Sequence, residues 1–328
     1  MMSWGLKLAD YLPPIPSSHW TLAKQAGVTT AVTSIPEGPN DPPCWDFVHL
    51  LRLKQSFADR GLDLQVIESA PSSVMEPIKR GAPNRDEMIE HFCELIDNMG
   101  RAKIPVMCHN FMAVQGWLRT SMAIPARGGA LVTGYNHELM RYAPLTEFGE
   151  ITEDQLWENM TAFLNKVVPV AEKASVYLAV HPDDPPVSPI RGIGRILTST
   201  PALQRVLDIA PSPNNGITFC QGSISTMNVD VPAEIRRFGS QKAIHFVHFR
   251  DITGTPENFV ESFHDEGRTD MFEALRAYRD ENFTGPMRVD HVPSMEGEEN
   301  LNPGYEVLGR LYAIGYAKGL MEGVNKLH

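Results

Sequence analysis

The sequence predicts a (β/α)8 barrel, the TIM-barrel architecture of the α/β class, as a single catalytic domain over residues 1–328. Three observations carry this. Eight short apolar runs recur along the chain, and segments of helical period separate them. No G-x-G-x-x-G or G-x-x-x-x-G-K-[ST] follows any run, which argues against a doubly wound open sheet.

The runs lie at residues 29–33, 64–68, 105–110, 176–181, 216–220, 243–250 and 287–290, with a weaker one at 5–12. Near-continuous apolar runs of this length suit parallel strands buried on both faces. Among the helical segments, Gly61 is expected to end the helix carrying Val48, Leu51 and Phe57. Asn84 is placed to cap a helix whose Ile89, Phe92, Cys93 and Ile96 share a face. Thr152 and Gln155 form a capping-box pair before Leu156, Met160, Phe163, Leu164 and Val167. Pro169 is expected to kink or end that helix. Pro303 is expected as the first helical residue of the segment carrying Leu308, Leu311 and Ile314. Residues 111–151 form a long loop after the fourth strand, of a kind that often serves as a lid.

Composition narrows the function class. The chain is 42% hydrophobic and 21% charged, which is globular, and its net charge of −11 argues against nucleic acid as a partner. No apolar run approaches the roughly 18–20 residues of a membrane helix; the best, residues 174–180, is far shorter. The first residues lack the pattern of a signal peptide. Cys44, Cys93, Cys108 and Cys220 form no C-x-x-C, so a reducing compartment is expected. The expected setting is a cytoplasmic enzyme of a small molecule, free of membrane and acting as a homo-oligomer.

Barrel enzymes work where the strands finish, and polar residues gather there. Glu68, Asn110, His181, Cys220, His248 and Asp290 each stand at the end of a run. A single histidine in such a place is often structural. Four successive strands ending in His181, Cys220, His248 and Asp290 put two imidazoles, a thiolate and a carboxylate at one end of a barrel, a set that suits a divalent transition metal. Period-two alternation turns His248 and Arg250 inward and His245 outward, between barrel and helices. Arg250 then either holds a substrate carboxylate or forms a salt bridge at the rim. The same alternation groups Cys108 with Asn110 and turns His109 away; Asn110 is the better substrate contact and Cys108 a core thiol.

These residues sit in motifs that resemble the D-mannonate dehydratase family, on a barrel of the xylose isomerase-like superfamily. The resemblance is carried by residues 108–112 with 117–120, by His181-Pro182-Asp183-Asp184-Pro185-Pro186, by residues 218–223 and 244–250, by residues 259–264 with Gly267 and Asp270-Met271, and by Asp290-His291 followed by Asn302-Pro303-Gly304-Tyr305. It covers roughly Gly61 to the C-terminus, in one order. It implies a divalent metal held by His181, Cys220, His248 and Asp290, most often Mn2+, with Fe2+, Co2+ or Zn2+ as other choices. It implies His291 and Tyr305 as the acid/base pair. Glu68, Asn110, Trp117, Arg119, Arg250 and His264 are the expected substrate contacts, Glu68 and Asn110 to sugar hydroxyls and Trp117 and Arg119 from the long loop. The chain departs from the family pattern at His109, where the family has a phenol, and at Ala113, where it has proline. It also departs at Val292-Pro293-Ser294-Met295, where a second histidine is missing. The N-terminal region is shorter and diverges.

The reaction so implied is dehydration of a sugar acid, D-mannonate to 2-keto-3-deoxy-D-gluconate or a close analogue. A base takes the C2 proton beside the carboxylate, and an acid protonates the departing C3 hydroxyl. The alternatives are a metal-dependent sugar isomerase or epimerase, a lyase of a different hydroxy acid on the same barrel, and a sugar-acid binder without turnover.

Overall fold

The computed structural model describes residues 4–39 and 41–327. Eight parallel strands close a barrel: β1 (Lys7–Tyr11), β2 (Thr30–Thr33), β3 (Asp63–Glu68), β4 (Val106–Asn110), and, further on, Tyr177–His181, Asn215–Cys220, Ile244–Phe249 and Pro286–Val289. Two strands after β4 lie outside the barrel, β5 (Ser121–Pro125) and β6 (Leu131–Asn136), so Tyr177–His181 is β7 and Asn215–Cys220 is β8. Ile244–Phe249 is β9; β10 (Ile252–Thr255) and β11 (Asn258–Glu261) again lie outside, and Pro286–Val289 is β12. The barrel order is β1-β12-β9-β8-β7-β4-β3-β2, with every pairing parallel. The weak run at 5–12 is thus the strand that closes it.

Inside the barrel Ala9, Val32, Val66, Val106, Cys108, Ala179 and Phe246 pack together, with the buried Cys108 at the top of this cluster, where it also borders the cavity at the strand ends. This plug fills the lower barrel and leaves the C-terminal strand ends for chemistry. A larger core lies between strands and helices. The helices are α1 (Ser18–Gln25), α2 (Phe47–Ala58), α3 (Ser72–Arg80), α4 (Arg85–Arg101), α5 (Glu153–Ala174), α6 (Thr200–Ile209), α7 (Gln221–Thr226), α8 (Val231–Ser240), α9 (Met271–Asp280) and α10 (Val307–Lys326). Among the described residues, no helix is long and apolar enough to cross a membrane.

The capping box of Thr152 and Gln155 starts α5, and Asn84 stands at the N-cap of α4 without a side-chain bond. Three expectations are corrected. Pro169 does not end α5, which runs on to Ala174. Pro169 and Asn165, whose carbonyl loses its partner, are both exposed, so that carbonyl stays open to solvent. Pro303 does not begin α10, which starts at Val307. It occupies a tight turn in which Tyr305 N–H donates to Asn302 O at 2.8 Å and Gly304 takes φ +84°. Proline second and a positive-φ glycine third are the demands of a type II turn.

The third correction concerns residues 111–151, which are not a plain loop. They carry β5 and β6, and β6 pairs with β11 to make a four-stranded antiparallel sheet, β10-β11-β6-β5. The partner strands lie more than a hundred residues away, a pairing no local period reveals. This small sheet sits over the strand ends and supplies residues to the site described next.

Candidate active site

A cavity of about 200 Å³ opens at the C-terminal end of the barrel. Glu68, Asn110, His181, His248, Asp290, His291 and Tyr305 all line it, with Trp117 from the loop before β5. Arg288 and Asp184 complete its polar wall.

His181 ends β7, Cys220 ends β8 and His248 lies on β9. One ligand atom from each lies within 4.8 Å of the others. His181 Nε2 is 3.1 Å from His248 Nδ1, and Asp290 Oδ2 is 3.4 Å from that same Nδ1. The other nitrogen of His181 lies 2.6 Å from Pro182 O, an orientation that leaves Nε2 free to ligate. Burial alone would raise the Cys220 thiol, but the charges of Arg250 and His181 hold it well below its ordinary value, as a thiolate. Burial likewise works against Asp290 ionising, yet Arg288, His291 and His248 keep it well below the carboxylate range. His248 Nδ1 is thus the nitrogen turned toward His181 and Asp290, while its Nε2 lies 3.4 Å from Glu68 Oε1. Two imidazoles, a thiolate and a carboxylate converging on one point at the strand ends fit a divalent metal.

His291 and Tyr305 meet beside these groups. Tyr305 is delivered by the type II turn, whose Gly304 also bridges to Val292. The Tyr305 hydroxyl lies 3.0 Å from His291 Nε2. Burial, reinforced by the charge of Asp290, pushes the phenol up, so it stays protonated. The Trp117 ring covers both, with centroids 5.0 Å from His291 and 6.3 Å from Tyr305.

Behind this wall lies a buried ionic network. Arg119 holds Asp184 bidentately, Nη1–Oδ1 2.6 Å and Nη2–Oδ2 2.9 Å, and reaches Glu261 Oε1 at 2.5 Å. Arg250 donates to both Glu261 oxygens at 2.9 Å, to Asp184 Oδ2 at 2.5 Å and to Ser223 Oγ at 3.0 Å. Asp184, Glu261 and His291 also lie close enough to suggest a metal cluster. Two guanidinium groups already neutralise both carboxylates, so that cluster is an ionic network instead.

The structure therefore brings nine of the twelve expected residues to or immediately beside the cavity and leaves three behind it. Arg250 faces inward, but its donors are spent on Glu261, Asp184 and Ser223 rather than left for a substrate carboxylate. Arg119 is spent on the same two acids. His264 Nε2–H donates to Phe249 O, 2.8 Å away, and burial lowers its pKa to about 4. Glu68 lines the cavity but is held bidentately by Arg288, at 2.7 and 2.6 Å. Asn110 Oδ1 accepts from Lys79 Nζ at 2.9 Å and from Met112 N–H at 3.2 Å, leaving its amide group near Ser69. His245 lies outside the barrel wall, its Nδ1 2.9 Å from Leu178 O. It crosses β8 at Gly216, where a Cβ would come within 2.4 Å of the imidazole.

Sequence reasoning missed Asp184, Glu261 and Arg288. The alternation that paired His248 with Arg250 also pairs Arg288 of β12 with Asp290, the residue just past its end, so Arg288 was within reach. Glu261 had no such signal, because its strand belongs to the small sheet.

The family model for D-mannonate dehydratase matches residues 17–147 and 138–328. Mannonate dehydratase 2 of Halalkalibacterium halodurans is 35% identical over 344 residues, covering 96% of this chain and 95% of that protein. Mannonate dehydratase of Thermotoga maritima is 35% identical over 336 residues, covering 92% and 91%. The crystal structure of mannonate dehydratase from Streptococcus suis serotype 2 superposes with a TM-score of 0.90 at 32% identity, over 98% of this chain and 94% of that one. A D-psicose 3-epimerase from Clostridium cellulolyticum H10 superposes at TM-score 0.60 with 13% identity, covering 98% and 99%, a likeness of fold alone. The chain belongs to the D-mannonate dehydratase family.

Proposed function

We propose that this protein is a hydro-lyase that converts D-mannonate, or a sugar acid of the same C2–C3 configuration, to the 2-keto-3-deoxy acid. The observation that carries the reading is the contact of His291 Nε2 with the Tyr305 hydroxyl, 3.0 Å, beside the His181, Cys220 and His248 set. His181, Cys220, His248 and Asp290 would hold a divalent ion, manganese first among the candidates. When bound, the ion supplies positive charge that stabilises the negative charge building up as the C2 proton leaves.

The chain's own residues do the rest. His291 Nε2 takes the C2 proton, since its other nitrogen faces the Glu261 carboxylate. Tyr305, kept protonated by burial, gives its proton to the departing C3 hydroxyl, which leaves as water. The enol that remains becomes the 2-keto acid when C3 takes a proton. Glu68 and Asn110 border the sugar hydroxyls, and Trp117 shields the pair from bulk water.

We place the enzyme in the cytoplasm, in keeping with its four free cysteines. We read it as a homo-oligomer, supported by the exposed apolar side chains of Leu139, Tyr142, Leu145 and Phe148 on one short segment. The test of the function is to incubate the manganese-loaded protein with D-mannonate and a panel of sugar acids. Formation of 2-keto-3-deoxy-D-gluconate supports the reading; exchange at C2 without loss of water replaces it with an isomerase or epimerase.

A further inference from the structure

Glu261 ends β11 of the small sheet, pairs across to Ile252 of β10, and is buried. Its carboxylate is crowded by donors: Arg119 Nη2 at 2.5 Å, Arg250 Nη1 at 2.9 Å on both oxygens, and His291 Nδ1 at 2.9 Å from Oε1. We propose that Glu261 is a positioning residue that acts through His291, fixing the hydrogen on Nδ1 so that Nε2 is the nitrogen presented to Tyr305 and substrate. The inference rests on the reading of His291 and Tyr305 as the acid/base pair.

The chemistry allows one assignment. An ionised carboxylate flanked by two guanidinium groups only accepts hydrogen bonds. The ring nitrogen 2.9 Å from it must therefore carry hydrogen. Arg119 Nη2 also approaches His291 Nδ1, at 3.5 Å, but it is a donor and offers that nitrogen nothing to donate to. With the hydrogen of the neutral ring committed at Nδ1, Nε2 is left to accept from the Tyr305 hydroxyl, 3.0 Å away. The backbone agrees. His291 adopts φ +28°, a value L-residues avoid, so surrounding contacts hold the ring where its backbone alone would not. Among the residues within hydrogen-bonding distance of His291 Nδ1, Glu261 is the acceptor, and it comes from a different sheet.

A purely structural Glu261 would serve only to neutralise Arg119 and Arg250. The two roles separate in a double-mutant cycle on the metal-loaded enzyme with D-mannonate. Glu261→Gln should lower kcat by at least ~10-fold with KM and metal content little changed, and the same substitution in a His291→Asn background should change kcat less than ~2-fold. An equal loss in both backgrounds, or an unchanged kcat in the single variant, overturns the proposal. If Glu261→Gln does not fold, Glu261→Asp keeps the charge for the arginines while withdrawing the oxygen from His291, and the same cycle applies. A second readout is independent of turnover. In zinc-loaded, 15N-histidine protein, His291 should be the Nδ1–H tautomer in the wild type and shift toward Nε2–H or a mixture in the Glu261 variant. An unaltered tautomer also overturns the proposal. Normal turnover of His291→Asn alone refutes the acid/base reading instead, while the tautomer measurement still decides the role of Glu261.

Discussion

Arg288 and Glu68 form a bidentate pair at the floor of the cavity, Nε–Oε2 2.7 Å and Nη2–Oε1 2.6 Å, and the same guanidinium reaches Asp290 Oδ1 at 2.7 Å. The pair joins β3 to β12 across the barrel interior beneath the proposed metal ligands. Removing one partner of a buried pair strands the other's charge, a loss of about 3–5 kcal/mol. Glu68→Ala should therefore lower stability by about that amount, read as a shift in urea midpoint at constant slope. A loss below about 1 kcal/mol would mean that water or Asp290 satisfies Arg288 unaided.

The metal assignment predicts separable behaviour for two histidines three residues apart. Purified protein should carry close to one divalent ion per chain, and His248→Ala or Asp290→Ala should lose it. His245→Ala should keep the metal and cost packing and one hydrogen bond to Leu178 O. Elemental analysis of the three variants decides, and metal loss in His245→Ala with retention in His248→Ala would reverse the assignment.

Tyr305→Phe removes a hydroxyl and leaves the ring against Trp117 and His291. Turnover should fall ~10²–10⁴-fold, as for a lost acid/base group, with folding and metal content kept. His291→Asn should fall similarly. In deuterated water the product should carry solvent deuterium at C3. Near-normal turnover of Tyr305→Phe would remove that residue from the reaction while leaving the dehydration itself in place.

His109 makes stability depend on acid. It is 1% exposed, and among the described residues neither ring nitrogen has a hydrogen-bond partner. Burial, assisted by the Lys79 charge, lowers it from 6.5 to about 3. The unfolded chain binds a proton near the ordinary value and the folded chain only near the lowered one. The stabilisation is thus present above pH 6.5 and is lost as pH falls from there toward 3, at up to about 1.4 kcal/mol per pH unit. His109→Phe keeps an aromatic ring against Phe163, 5.4 Å away. It should unfold in urea with a smaller loss between pH 7 and pH 5 than the parent, and equal losses would show that His109 is hydrated or charged when folded.

The eight barrel strands, the capping box of α5 and the inward face of His248 were legible in the sequence because each is a local property. Strand alternation repeats every two residues, and a cap and its partner lie three apart. Strand-end chemistry was legible for the same reason, since a barrel sends all its strand ends to one side. Pro169 and Pro303 show the limit of local signals. A proline's effect depends on whether water reaches the carbonyl it frees, and on whether a glycine behind it makes a turn. The small sheet and the network of Arg119, Asp184, Arg250 and Glu261 were decided only by the tertiary structure. Their contacts join residues 65, 66 and 142 positions apart, and the fourth, Arg250 to Glu261, depends on a strand whose partner β6 is itself remote. Buried ions find partners wherever folding brings opposite charge within reach, and sequence spacing carries no record of that distance.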